Sequence, residues 1–522
     1  MNQRADEAGT LPDLLRAHAA AAPERAALIY GDRVTSYAKL LVRSGQVARA
    51  LRSERLEPDA RIAYLGKNSD TYFELLLGAA HAGVAMTPVG WRLGAGEIAT
   101  ILQDSGARLL LVEPEFLPIV GALGWEGEAV VIEPGCESFD RWLAQGAGGD
   151  IASTARPDDV VLQLYTSGTT GQPKGVMLTH RNLLAWQRRM AESGADWFEW
   201  ATDERALINM PIAHIGGTGW GITALRAGVS CLIHREFDAG QTLAAVGGGQ
   251  VGKIFVVPSA LQLMLQHPDA EAAAQRARGG LRHILYGASP ITEALLDEAT
   301  AAFDCDFCQL YGLTETAGTI TNLCAADHKA GNRERLRSAG RANPGVELRI
   351  ECAGLVCPPG EVGEILIRST NVMAGYWGRP EETRAALAPD GWLRSGDAGY
   401  LDADGYLYLC DRIKDMIVSG GENIYPAEVE NTLSCHPDIA EVAVIGVPDE
   451  RWGEAVKAIV VPQPESHPDA GALLAFARAR IAAFKVPKSV DFVSVLPRGA
   501  SGKVLKRVLR EPYWRDRPRQ VN

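Results

Sequence analysis

The sequence has no long apolar run. Its most hydrophobic window, residues 75–89, is interrupted by Gly78, His81, Gly83 and Pro88. A bilayer-spanning helix needs about 20 mostly apolar residues, so a buried helix running into a strand is expected here instead. The first residues, MNQRADEAG, contain no apolar stretch of the kind a secretory leader uses. Positive charge is not in excess: the net charge is −12, which argues against nucleic acid as the main partner. Cysteine is present but unorganised. The nine cysteines, an odd number, follow no disulfide spacing, which suits a reducing cytoplasm. Internal repeats and low-complexity tracts are absent. What remains is a 522-residue chain of ordinary composition, too long for one hydrophobic core, so at least two domains are expected.

The most informative stretch is YTSGTTGQPKGV, residues 165–176. It follows an apolar run, 160–164, that reads as a buried strand. Thr166, Ser167, Thr169 and Thr170 supply hydroxyls, Gly168 and Gly171 let backbone N–H groups approach a ligand, and Lys174 supplies a charge. That combination suits a polyphosphate. A Ser/Thr/Gly surface turn has a similar composition but no need of a lysine held between Pro173 and Gly175. The Walker pattern is excluded, since Lys174 is not preceded by Gly or followed by Ser or Thr.

Around this stretch, apolar segments alternate with helical patterns. Strands are expected at 61–65, 109–112, 130–132, 207–211, 253–257, 283–286 and 307–311, with a helix at 70–82 and a strand pair turning at Gly31-Asp32. The expected fold class is α/β, a large domain of sheets layered by helices. Thr179 reads as the N-cap of a helix. The stretches PSA, GASP and GLTET read as loops at strand ends, where ligands bind in open parallel sheets. From Ser338 onward the pattern shortens into antiparallel strands with turns at Asp390-Gly391 and Asp404-Gly405. After about Lys414 a compact α+β block follows. The expected domains are 1–413, with a β-rich subdomain at 337–413, and a small mobile C-terminal domain at 414–522.

Further motifs follow in order. YGLTET places Thr314 and Glu315 after a strand-end Gly312, where a carboxylate suits Mg²⁺ beside phosphate. SGD places Asp397 where it could accept ribose hydroxyls, although a plain Gly-Asp hairpin turn reads the same way. DRIKD, residues 411–415, is either a surface ion-pair cluster or a hinge. PRGASGKVLK presents Lys503 on a glycine loop.

Together these motifs resemble the adenylate-forming superfamily of acyl-CoA synthetases, aryl-CoA ligases, luciferases and peptide-synthetase adenylation domains. The likeness runs from about residue 11 to 509 and includes GVMLTHRNL, SAGRANPG, GGENIYPAEVE and FKVPKSV. It implies an acyl-CoA synthetase that converts a carboxylate and ATP to acyl-AMP and pyrophosphate, then transfers the acyl group to CoA. By that resemblance the Thr166–Lys174 segment holds pyrophosphate and Thr314 contacts the α-phosphate. Glu315 holds Mg²⁺, and Gly287, Ala288 and Ser289 lie against adenine with Tyr311 stacked on it. Asp397 and Arg412 bind the ribose, Lys414 is the pivot and Lys503 is the adenylation lysine. Ser419, Gly420 and Gly421 then form the CoA channel once the C-terminal domain rotates.

The resemblance also puts His214 at the site, counted both as a catalytic residue and as part of the acyl wall. Amino-acid-activating relatives carry an Asp near this position, and PIAHIG has no acid, which disfavours an amino-acid substrate. Gly216, Gly217, Gly219, Gly287 and Ala288 are small, which suggests room for a bulky or long acyl group, and Trp220 either shapes that room or is core. Fatty acids and aryl or cyclic alkanoic acids both remain open, as do transfer to a carrier protein and luciferase-like chemistry. Expected partners are the carboxylic acid, ATP and CoA. Peripheral membrane contact and a homodimer are compatible with the sequence.

Three other patterns read as decoys. GGGQVGK, residues 247–253, nearly matches a nucleotide loop but leads into a strand, so it reads as a helix-to-strand connection. Cys305, Cys308, Cys324 and His328 have spacings close to a zinc set, but they flank a strand that leads into the Mg²⁺ motif. The basic stretch 498–522 could attract CoA phosphates or a membrane face, and reads first as a solvated tail.

Overall fold

Most of the apolar runs pair as strands, chiefly in parallel. The computed structural model describes the chain except residues 1–4, 6, 57–58, 126, 134–136, 146–152, 154, 168–172, 290, 331, 421, 500–503 and 516–522. A nine-stranded sheet carries six parallel neighbours: Asp306–Leu313, His283–Gly287, Lys253–Val256, Arg205–Ile208, Ser230–Ile233 and Ala26–Tyr30. Gly318–Leu323 and Arg341–Ala342 extend one edge antiparallel, and Arg33–Ser36 closes the other through the Gly31-Asp32 turn. A seven-stranded sheet runs Gly375–Tyr376, Pro173–Thr179, Val160–Ser167, Ala85–Val89, Arg61–Leu65, Leu109–Val112 and Glu128–Val131.

The window 75–89 is the expected buried helix and strand. Asp70–Ala82 starts at Ser69, whose hydroxyl accepts from Tyr72 N, and ends at Gly83 in the left-handed region. Every residue of the helix except the last is buried. It packs against a second helix, Ile215–Ala227, where Tyr72 Oη and Thr218 Oγ1 lie 2.7 Å apart. This second helix was not expected. Four glycines, each costing up to about 1 kcal/mol of helix propensity, disguise it, and burial of Thr218, Trp220 and Ile222 outweighs that cost. Similarly, PSA is not a loop: Pro258 occupies the first turn of the helix Pro258–Leu265. GGGQVGK is the expected connection between the helix Ala239–Gly247 and the strand at Lys253.

A five-stranded antiparallel sheet follows, ending in Leu393–Leu401 and Leu407–Arg412. Ile413–Asp415, which contains Lys414, is a single 3₁₀ turn. Beyond it begins another sheet, built on Ile439–Asp449 and Gly453–Pro462. Its apolar clusters draw only on residues from Ile417 onward.

The basic C-terminal stretch is not a solvated tail over residues 506–514. Lys506–Trp514 is a helix with Trp514 buried and its indole donating to Gly446 O at 3.1 Å. Lys506 lies 2.9 Å from Glu430 and 3.6 Å from Asp411, and Arg510 pairs with Asp415. Burial alone would lower the Lys506 pKa, but the charges of Glu430 and Asp411 outweigh it and raise it.

Candidate active site

The polyphosphate stretch is narrower than expected. Strand pairing continues past Leu164 through Ser167, with Tyr165 opposite Gly175, Thr166 opposite Lys174 and Ser167 opposite Pro173. Val160–Ser167 and Pro173–Thr179 are therefore the two arms of a hairpin. Gly168, Thr169, Thr170 and Gly171 lie outside the described residues. The hairpin leads into the helix His180–Ser193, capped as expected by Thr179, whose hydroxyl accepts from Asn182 N. Asn182 reaches further, donating to Thr370 O at 3.0 Å and Val372 O at 2.7 Å. It thus ties segment 370–372 to the base of the hairpin.

That segment leads into Gly375–Tyr376, the edge strand that pairs with Val176 and Met177. Tyr376 Oη donates to Glu315 Oε1 at 2.9 Å, while Lys174 Nζ sits 5.2 Å from the centre of the Tyr376 ring. Burial, then the Glu315 charge, raise the phenol pKa, so Tyr376 remains a donor. Met373 N donates to Glu315 O at 2.8 Å and Asn371 donates to Thr316 O at 2.8 Å. Thr314 and Glu315 therefore sit on a 3₁₀ turn fastened to the hairpin through its edge strand. Sequence reading missed Tyr376. Its two-residue strand is too short for periodicity, and only the cluster AGYWG marks it.

Glu315 Oε2 has no hydrogen bond from the described residues. A half-buried carboxylate with one oxygen fixed and the other open is a hard oxygen donor and fits Mg²⁺.

A second constellation forms beside it. Tyr311 Oη donates to Asp397 Oδ2 at 2.6 Å, and Arg412 Nε lies 2.7 Å from Asp397 Oδ1. Burial, reinforced by the Asp397 charge, raises the Tyr311 pKa well above its ordinary value. Burial would lower the Arg412 pKa, but Asp397 outweighs it and the net shift is upward. Asp397 is not on a hairpin turn. It lies inside the strand Leu393–Leu401 at a bulge opposite residues 364–366, with Gly396 at φ 69°. A bulge re-aims side chains, and this one lies where the carboxylate reaches Tyr311. An ionised carboxylate is an acceptor only, with about four lone-pair sites on its two oxygens.

Gly287 ends its strand buried, Ala288 is exposed at φ 68° and Ser289 is half-buried. Gly312 lies within the strand Asp306–Leu313. All lie at or just beyond the carboxyl ends of adjacent parallel strands, as expected for a ligand crevice.

The small residues near His214 are of two kinds. His214 is the N-cap of Ile215–Ala227. A methyl on Gly217 would fall 2.3 Å from Pro211 O and 2.6 Å from Met210 O, so that glycine serves close backbone packing rather than open space. One on Gly216 would meet Phe255 at 2.9 Å. Trp220 is buried, donates to Leu207 O at 3.1 Å and lies 5.4 Å from Trp200.

In the later block, Ser419 pairs with Glu422, and Gly420, at φ 62°, donates to Trp452 O at 2.8 Å. Gly421 and Lys503 lie outside the described residues. The cysteine pattern does not assemble a ligand set. Cys324 Sγ donates to Asp327, and the His328 ring nitrogens contact Tyr286 Oη and Cys324 O.

Residues 15–377 match the AMP-binding enzyme family, and 428–503 match its C-terminal domain. The chain belongs to the AMP-binding enzyme family. A fatty acid–[acyl-carrier-protein] ligase of Streptomyces coeruleorubidus is 43% identical, with 98% of each chain covered. A feruloyl-CoA synthase of an Amycolatopsis species is 41% identical over 94% of this chain and 96% of its own. Among solved AMP-binding enzymes, the o-succinylbenzoate CoA synthetase of Bacillus subtilis, in complex with ATP and magnesium, superposes with a TM-score of 0.82 at 30% identity, covering 94% of this chain and 98% of its own. This AMP-binding enzyme is thus of the AMP-forming acid–thiol ligase type, with the mixed α/β architecture expected. Among its described residues, no helix is long and apolar enough to cross a membrane.

Proposed function

We propose that the protein is an ATP-dependent acid–CoA ligase that adenylates a carboxylic acid with an uncharged, apolar body. The observation that carries this is the double clamp: Lys174–Tyr376–Glu315 on one side and Tyr311–Asp397–Arg412 on the other. One side suits a magnesium-bound polyphosphate, and the other a ribose and an aromatic base. Adenylation joins two anions, so catalysis is chiefly charge neutralisation and alignment. Mg²⁺, when bound at Glu315, supplies charge neutralisation at the phosphates.

The chain's own groups do the rest. Tyr376 keeps the Glu315 carboxylate oriented. Thr166, Ser167 and Lys174, with the hairpin tip, hold the departing pyrophosphate. Thr314 meets the α-phosphate. Gly287, Ala288 and Ser289 border the adenine. Lys503 bridges carboxylate and α-phosphate, and a turn about Lys414 exchanges it for Ser419, Gly420 and Gly421 when the thiol attacks. His214 and Ala288 border the acyl group. The run from Pro211 to Gly216 contains no carboxylate for a substrate ammonium.

The thiol belongs to a phosphopantetheine arm. A carrier-protein acceptor is the second reading, favoured by the 43% identical relative. The test is pyrophosphate release over fatty, hydroxycinnamic and arylacetic acids, followed by thioester formation with CoA or a phosphopantetheinylated carrier protein. Release of pyrophosphate with none of these acids overturns the reading. Thioester on the carrier alone moves it to the second.

A further inference from the structure

The amino-terminal ends of the central strands in the nine-stranded sheet hold an arrangement the ligase reaction does not use. His283 and Asp306 are the first residues of neighbouring parallel strands and are in register, so their side chains share one face of the sheet. His283 is 5% exposed, and neither ring nitrogen has a hydrogen-bond partner among the described residues. A buried imidazole without partners is costly and calls for an explanation. Its Nε2 lies 4.0 Å from Asp306 Oδ2.

Asp196 approaches from the turn Asp196–Phe198, and the turn is tethered there. Lys253, next in register along the same row, donates to Trp197 O at 2.8 Å and to Glu199 O, and Arg282 also donates to Glu199 O at 2.7 Å. One ligand atom from each of Asp196, His283 and Asp306 lies within 4.8 Å of the others.

The geometry points to a divalent metal site of the zinc class, formed by Asp196, His283 and Asp306 on the amino-terminal edge of the sheet. Tetrahedral zinc, with bonds of about 2.0–2.2 Å, separates neighbouring ligand atoms by roughly 3.3 Å. The three side chains therefore need to close by at most about 1.5 Å. Two carboxylates offset the nearby Lys253 and Arg282 charges.

Lys329 competes: its Nζ lies 2.5 Å from Asp306 Oδ1, but its side chain is 68% exposed and free to swing aside. Exposed Asp196 forms the open side, leaving a fourth position for water. The site is one strand length, about 13 Å at 3.3 Å per residue, from the Gly287 end, so it fastens the 196–199 turn to the sheet rather than joining the chemistry.

The test is a competition titration of the metal-depleted full chain with zinc alone against a chromophoric chelator, for wild type, Asp196→Asn and Lys329→Ala. Asp196→Asn keeps the acceptor for Trp197 N, so the turn survives. Exposed thiols elsewhere add the same background to all three proteins. The expected result is loss of one zinc equivalent, or at least ten-fold weaker binding, in Asp196→Asn, and several-fold tighter binding in Lys329→Ala. Equal stoichiometry and affinity in wild type and Asp196→Asn overturns the proposal, as does a Lys329→Ala protein that binds zinc no more tightly than wild type.

Discussion

Tyr376 and Glu315 lie sixty-one positions apart in sequence and share a 2.9 Å hydrogen bond, phenol to carboxylate. The bond joins the edge strand of the Val160–Thr179 hairpin to the turn bearing the proposed metal ligand. A hydrogen bond to a charged group is worth about 1.5–3 kcal/mol. Tyr376→Phe should therefore lower pyrophosphate release by about ten-fold or more and raise the Mg²⁺ concentration needed for half-maximal rate. Glu315→Gln should do the same more severely while the far-ultraviolet circular dichroism stays native. An unchanged Mg²⁺ dependence in both variants would remove Glu315 from the metal.

The two half-reactions should separate by residue. Lys503→Ala removes the charge that lets two anions meet, so pyrophosphate release should fall by ~10²–10³, while preformed acyl-adenylate is still converted to thioester. Gly421→Leu should show the reverse pattern, blocked in thioester formation and nearly intact in adenylation. Equal loss of both steps in each variant would mean that the two loops do not alternate.

Gly217 and Ala288 should respond oppositely to small changes. Gly217→Ala places a methyl 2.3 Å from a carbonyl oxygen, and overpacking costs ~1–3 kcal/mol, so the melting temperature should drop whatever the acid. Ala288 holds φ 68°, a region costing an L-residue roughly 1–2 kcal/mol. Ala288→Gly should be neutral or stabilising and should admit broader acyl groups. A Gly217→Ala protein with native stability and a narrowed acid range would return Gly217 to the acyl wall.

Acid should destabilise the fold partly through His180. Its Nδ1 accepts from Leu11 N at 3.2 Å, and burial lowers its pKa from 6.5 to about 4. Between those values the unfolded chain binds a proton that the folded one refuses. The stability is fully present above about pH 6.5 and is lost as pH falls toward 4, by on the order of 3 kcal/mol. His283 acts in the same direction. His180→Gln should flatten the change in urea midpoint between pH 7 and pH 4.5, and an unaltered slope would count against a buried neutral His180.

Strands such as Arg61–Leu65 and Leu109–Val112 were legible because they are continuous apolar runs buried on both faces. The motif residues Lys174, Glu315, Asp397 and Arg412 were legible as a set by resemblance, but not by the company they keep. Tyr376 joins Lys174 to Glu315 only through a two-residue edge strand, which carries no periodicity. The helix Ile215–Ala227 was hidden by glycines whose cost is offset in tertiary packing. The helix Lys506–Trp514 was hidden by Pro512 and by charges whose partners, Asp411, Asp415 and Glu430, come from far earlier in the chain.

That last helix has a consequence for how the molecule can be handled. Asp411 also accepts from Ala427 N at 2.9 Å, and with Lys506 near Asp411 and Arg510 on Asp415 the residues on either side of Lys414 are gripped by this late helix. Trimming the protein before Lys506 would strip two cationic anchors, Lys506 and Arg510, from three acids. Proteolytic loss of this helix would therefore register around Lys414, the proposed pivot, far from the cut in sequence.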